Sequence, residues 1–177
     1  MKISRDKFER LAIEQLDAVD RIARALAPHS AEADDLVQET YVRALRSANS
    51  FDLQPCGIKP WLLRILHNLH ITRATRENRQ PRAIPAEHLH AIKEPERAGD
   101  PAIALDDIDH ELQLAMAELP RELSVTVMLW AIDELPYKEI AEVTNVPIGT
   151  VMSRLNRART RLARRLRKLN PHAHRLN

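Results

Sequence analysis

Between Ile148 and Asn177 the chain carries Arg154, Arg157, Arg159, Arg161, Arg164, Arg165, Arg167, Lys168 and Arg175, with no Asp or Glu among them. The last acid before this run is Glu142. Bases at such spacing repel one another, and a polyanion relieves the repulsion; DNA, with its dense line of phosphates, is the commonest one. The formal net charge of +2 conceals the asymmetry, because the other 18 of the 27 bases are outnumbered by 25 acids. The chemistry on offer is phosphate binding and bidentate donation from arginine to guanine in a major groove.

A helix is needed to align these groups. Pro136 to Val143 reads as a short helix with Ile140, Ala141 and Val143 inward, followed by the turn Thr144, Asn145, Val146 and a longer helix opened by Pro147 and Gly149. Asn145 tolerates a left-handed backbone, and small Ala141 lets two helices cross closely, as a helix-turn-helix requires. On the longer helix Val151, Leu155, Ala158, Leu162, Leu166 and Leu169 form the buried stripe. Thr150, Ser153, Arg154, Asn156, Arg157 and Arg161 are the candidates to face DNA.

Upstream, Phe8, Leu11, Ala12, Leu16, Val19, Ile22, Ala23 and Leu26 recur at helical steps, which predicts one helix over residues 6–27, ended by Pro28. A second starts near Ala31. It sets Leu36, Val37, Tyr41, Ala44 and Leu45 on one side and Asp35, Gln38, Glu39 and Arg43 on another. Pro55, Gly57 and Pro60 mark a loop over residues 49–60, and a helix resumes from Trp61 to about Glu77. Residues 78–105 accumulate prolines among mixed charges and read as a flexible linker. The periodic segments resume near Asp106, with a break at Pro120. The predicted class is all-α: a helical domain at 1–77, a linker at 78–105, a helix-turn-helix domain at 106–169 and a tail at 170–177.

Composition excludes several functions. Only three glycines are present, and no run alternates like a strand. A single cysteine, Cys56, allows no internal disulfide. No apolar run is long enough to span a membrane, and the first residues lack a signal-peptide core, so a soluble cytoplasmic protein without membrane insertion is expected. His67 with His70, and His88 with His90, lack a third ligand; adjacent acids such as Asp34 and Asp35 suit helix starts rather than catalysis. No nucleophile elbow or phosphate cradle is seen, so no enzyme, metal or cofactor is expected.

The stretch LPRELSVTVMLWAIDELPYKEIAEVTNVPIGTVMSRLNRARTRL resembles region 4 of the bacterial extracytoplasmic-function sigma factors, with Gly149 to Arg159 fitting almost residue for residue. Independently, EADDLVQETYVRAL resembles region 2.2 of that family, and KPWLLRILHNLHITR its regions 2.3 and 2.4. The resemblance implies a promoter-specificity subunit of RNA polymerase that reads minus-10 and minus-35 elements. It implies that Asp35, Gln38 and Glu39 face the beta-prime clamp helices, that region 4 meets the beta flap, and that Ser50, Phe51, Asp52, Lys59, Arg64 and Asn68 are candidates to capture a flipped base of the minus-10 element. Trp61 is expected in the core. An anti-sigma partner is also implied.

Four positions depart from the family pattern: Met152 where Lys is frequent, Thr72 where Asp is, Ser124 where Arg is, and Glu134 where Gly is. The competing readings are a helix-turn-helix regulator acting alone and a sigma-like mimic that titrates an anti-sigma factor without starting transcription. The first has no need of the Asp35, Gln38, Glu39 face. The second has no need of Arg154, Arg157 and Arg161.

Overall fold

The computed structural model describes residues 2–27, 29–79 and 110–169 of the chain. Among these residues there are eight α-helices and no β-strand, only the isolated bridges Lys2 with Asp52 and Gln54 with Gly57. The helices are α1 (Arg5–Ile13), α2 (Leu16–Leu26), α3 (Ser30–Arg46), α4 (Lys59–Arg79), α5 (His110–Ala117), α6 (Arg121–Ala131), α7 (Tyr137–Thr144) and α8 (Ile148–Leu169). Most of the expected linker and the tail lie outside the described residues, although Asn78 and Arg79 continue α4.

The single helix expected over 6–27 is two. Its apolar period carries across Glu14 and Gln15, so sequence alone sees no break there. The chain turns where the Gln15 N–H bonds to the Ala12 carbonyl at 3.1 Å. That carbonyl also accepts from the Tyr41 hydroxyl at 2.8 Å, a group 29 residues away. The tertiary bond supports a helix end that no local residue signals. Burial pushes the Tyr41 phenol up to about 12, so it stays a donor.

The first four helices wrap Phe8, Val19, Ile22, Leu36, Leu62 and Leu66 into a core. Phe8, Phe51 and Trp61 form an aromatic cluster at its edge, with centroids 4.7 to 5.8 Å apart and tilted or edge-on rings. Buried Thr40 returns its hydroxyl to the Leu36 carbonyl at 2.6 Å, so the core holds no orphan there. The last four helices pack α8 across α5, α6 and α7. Leu119, Leu123 and Ala158 form a second cluster, with Met116, Val127 and Leu162 against it. The larger core continues from α4 into Leu129, Leu135, Ile140 and Val143, because α4 packs along α7.

Candidate nucleic-acid interface

The recognition element is built by its turn. Asn145 stands at φ 53° and ψ 47°, the left-handed geometry expected of it, and closes α7 while Pro147 opens α8. Val151 and Ala158 are fully buried, and Leu155, Leu162 and Leu166 half-buried, which fixes the rotation of α8. Ser153, Asn156, Arg157 and Arg161 point outward and Thr150 is half-buried. Arg157 rests its Nε 3.4 Å from the Ser153 carbonyl. Arg154 differs from the others: it is half-buried, and its charge helps hold the His67 ring of α4 neutral. A Cβ placed on Gly149 would meet nothing within 4 Å, so the protein's own packing does not require glycine there.

A second group lies on α4 and the loop before it. Arg64 and Asn68 share an exposed stripe with Ile71, Thr72 and Thr75. Ser50 and Asp52 are exposed in the loop, and the Ser50 hydroxyl donates to the Ser47 carbonyl at 2.9 Å. Phe51 requires a correction. Only 4% exposed and packed edge-on against Phe8 and tilted against Trp61, it belongs to the core and offers no face to a base. Lys59 is drawn out of the group too: its Nζ lies 2.6 Å from the Asp133 carboxylate.

The third group is on α3. Asp35 and Gln38 are exposed and Glu39 half-exposed, the last held below the usual carboxylate range by the hydrogen bond from Arg43 at 2.7 Å. Val42 and Leu45, each 40% exposed, continue the same stripe at helical spacing. The helical pattern alone groups Leu45 with the inward residues and leaves Val42 unassigned, whereas the structure turns both outward. The signal was present as the three- and four-residue steps from Asp35 through Gln38 and Val42 to Leu45.

Between the halves lies a contact that no sequence pattern foretold. Asp133, in the turn between α6 and α7, is buried with its side chain 1% exposed. It accepts from Arg21 of α2 at 2.7 Å and pairs with Lys59 at the start of α4. The Lys59 ammonium is close to Oδ2 but off the hydrogen-bond direction, so that arm is mainly Coulombic. Nearby, the Cys56 thiol donates to Glu142 at 3.0 Å. Burial first, then that carboxylate, pushes the thiol up and keeps it protonated. Along α4, burial pulls His67 and His70 down to about 4, helped by Arg154 and Arg121 at the first and Arg121 at the second. Arg121 donates to the His70 ring and to its carbonyl.

Among the described residues no three His, Cys, Asp or Glu side chains converge to hold a metal, and no helix is long and apolar enough to cross a membrane. The Sigma-70 region 2 pattern matches residues 12–80, and the Sigma-70 region 4 pattern matches residues 109–162. The chain is 32% identical over 163 residues to the extracytoplasmic-function sigma factor SigM of Mycobacterium tuberculosis, covering 92% of this chain and 79% of that protein. The chain belongs to the extracytoplasmic-function sigma factors. SigW of Bacillus subtilis is 28% identical to this sigma factor over 177 residues, covering 95% of this chain and 93% of that one. SigE of Mycolicibacterium smegmatis is 33% identical over 158 residues, covering 88% of this chain and 60% of that longer protein. Among solved structures, the sigma factor RpoE from Bartonella quintana, in complex with the anti-sigma factor NepR, superposes with a TM-score of 0.70 at 25% identity, covering 91% of this chain and 97% of that one. CnrH, in complex with the cytosolic domain of CnrY, shares the fold at a TM-score of 0.63 and 21% identity. The two helical groups described above therefore correspond to sigma regions 2 and 4.

Proposed function

We propose that this sigma factor docks on core RNA polymerase through the α3 stripe and directs initiation at promoters whose two elements it reads with separate faces. Asp35, Gln38 and Glu39, continued by Val42 and Leu45, meet the beta-prime clamp helices. Region 4 meets the beta flap. Arg64 and Asn68 of α4, Lys59, and Ser50 and Asp52 of the preceding loop engage the unpaired minus-10 strand. Thr150, Ser153, Arg154, Asn156, Arg157 and Arg161 of α8 read the minus-35 duplex. The protein acts by binding, without catalysis of its own, in the cytoplasm where polymerase works, under an anti-sigma partner. Its working divisions are residues 1–77, a linker at 78–105, 106–169 and a tail at 170–177.

The observation that carries this reading is the coexistence of an α3 stripe mixing acids with exposed apolar residues and an acid-free α8 on one chain whose halves match sigma regions 2 and 4 in order. Gly149 adds support, since a residue left small without an internal reason at a helix start leaves room for DNA to approach. The test is transcription of fragmented genomic DNA by bacterial core polymerase with and without the protein, sequencing the 5′ ends of the products. Discrete new starts sharing two spaced upstream motifs are expected. Core binding without any new start would replace this reading with the mimic, and no core binding would replace it with the lone regulator.

A further inference from the structure

α8 is longer than a major groove can use. Its 22 residues span about 33 Å, whereas the groove is ~12 Å wide, so the half beyond Arg157 lies outside any groove that the first half enters. The bases do not stop there. Thr150, Ser153, Arg157 and Arg161 recur at three- and four-residue steps, and the same face continues through Arg164, Arg165 and Lys168. Together with Arg161 these three bases line a polar cleft of about 150 Å³ against Glu118, just past the end of α5. That is about five times the ~30 Å³ share of one water, room enough for a phosphate group. Arg164 and Lys168 are exposed, whereas Arg165 is half-buried and divided in its bonding. Its Nη2 pairs with Glu118 at 2.6 Å, while its buried Nε finds no acceptor among the described residues. A buried guanidinium N–H without an acceptor costs free energy that an arriving anion recovers. Glu118 and the negative end of α5 supply roughly one and a half negative charges against the four bases, so the cleft stays strongly positive.

We propose that Arg164, Arg165 and Lys168 form a phosphate clamp beyond the minus-35 contacts, which grips the DNA backbone without reading sequence and for which Glu118 competes from within the chain. The DNA source of the phosphate rests on the reading that the first half of α8 enters the minus-35 groove; the cleft itself does not. Glu118, its side chain 56% exposed, exchanges readily, because a phosphate offers the buried Nε the acceptor that this carboxylate does not. Each neutralised phosphate adds close to one unit to the salt dependence of binding and nothing to base preference. Arg167 is exposed on the same turn of α8 but off this face and outside the cleft, which makes it the control for mere net charge.

The experiment uses the full chain as wild type, Arg164→Ala combined with Lys168→Ala, Glu118→Gln, and Arg167→Ala, all at exposed positions, with helix content checked by circular dichroism. Fluorescence anisotropy at several salt concentrations measures binding to a duplex carrying the upstream motif of its start sites and to a shuffled duplex. The double change is expected to weaken both duplexes equally, about tenfold, and to lower the salt slope by about two. Glu118→Gln should tighten both by roughly threefold, and Arg167→Ala should weaken them by no more than about twofold. Loss on the motif duplex alone overturns a sequence-blind clamp. A loss from Arg167→Ala as large, per charge removed, as that of the double change overturns the cleft in favour of diffuse charge. Unchanged affinity in Glu118→Gln overturns the competition. In a second arm inorganic phosphate alone is titrated into isotope-labelled chain while the Arg165 Nε–H resonance is followed; it should move in wild type and stay still in the double variant. Movement with no duplex bound replaces DNA by a free phosphate compound as the ligand, and no movement with no uniform loss overturns the site. A wild type that binds both duplexes alike, while the double change still weakens both, removes the minus-35 reading and leaves the clamp standing.

Discussion

Two long helices, α3 and α8, handle charge in opposite ways. On α3 the charges are compensated within the protein: Arg24 reaches Asp34 at 3.1 Å, Arg43 pairs with Glu39 at 2.7 Å, and Glu32 in the first turn and Arg46 in the last suit the helix dipole. On α8 the bases have Glu118, paired with Arg165 at 2.6 Å, as a nearby counter-charge, and the helix itself has no acid. A self-neutralised face with Val42 and Leu45 exposed suits a protein partner, which rewards apolar burial. An uncompensated basic face suits a polyanion, which supplies the missing charge and releases counterions.

The bluntest way to break this contrast is to detach α8. Val151 is fully buried, so Val151→Asp places an unpaired carboxylate between α8 and its neighbours at a cost of roughly 3 kcal/mol or more. Minus-35 binding should vanish, while core binding through α3 survives. Loss of both, with the helices of the first half still formed by hydrogen exchange, would show that α3 cannot hold core without region 4.

Single arginines sharpen it further. Arg157→Ala should cost about 1 to 3 kcal/mol at one promoter position if the side chain meets a base edge, or a smaller and uniform amount across sequences, with the salt slope lower by about one, if it meets phosphate. Electrophoretic shifts on a panel of minus-35 duplexes separate the two. Glu39→Gln on α3 should leave DNA affinity unchanged and weaken core binding. A change in minus-35 affinity on altering Glu39 would erase the distinction between the faces.

The histidines of α4 test the boundary between the regions. Both His67 and His70 titrate near 4 in place, well below the ordinary value of 6.5, because burial and the facing Arg154 and Arg121 disfavour a second positive charge. A histidine with a lowered value takes up protons when it is released. The contact between the halves therefore weakens as pH falls from about 6.5 towards about 4 and changes little above or below that window. Glu139, raised by burial, opposes part of this by holding its own proton more readily. Scattering and hydrogen exchange of α4 and α7 between pH 7.5 and pH 5 should show progressive opening on acidification. Replacing His67 and His70 together with Gln should flatten the response.

Local chemistry announced much of this architecture and long-range chemistry announced little of it. The left-handed Asn145, the buried stripe through Val151 and Ala158, and the outward Ser153, Asn156, Arg157 and Arg161 all follow from spacing within a few residues. The break between α1 and α2 does not, since it rests on Tyr41 reaching Ala12. Phe51 reads as available because it lies in a loop, yet one ring from α1 and one from α4 cover it. Nothing in the neighbouring sequence marks Asp133. An acid in a turn has no sequence signature of its own, and its meaning comes from Arg21, 112 positions away. Contacts that span the chain are invisible to periodicity, which is why the rotation of α8 could be read in advance and the contact between the halves could not.

The smallest effect concerns a residue beside that acid. Glu134 holds φ at 50°, in the left-handed region that side chains with a Cβ adopt at a cost, and it does so where the family pattern often has glycine. The turn cannot relax easily, because Leu135 next to it is buried and its N–H donates to the Leu129 carbonyl at 3.2 Å. The Glu134 side chain is exposed, so removing it sacrifices little packing. Glu134→Gly should therefore relieve roughly 1 kcal/mol of backbone strain, offset in part by the greater freedom of glycine in the unfolded chain. For a chain of this size that is a rise in melting temperature of about 2 °C or less. An Ala substitution, which keeps the Cβ, should give no such rise. If Ala and Gly stabilise equally, the gain comes from removing a negative charge beside Asp133 and not from the backbone, and the turn would then be tuned by the same electrostatics that hold the two halves together.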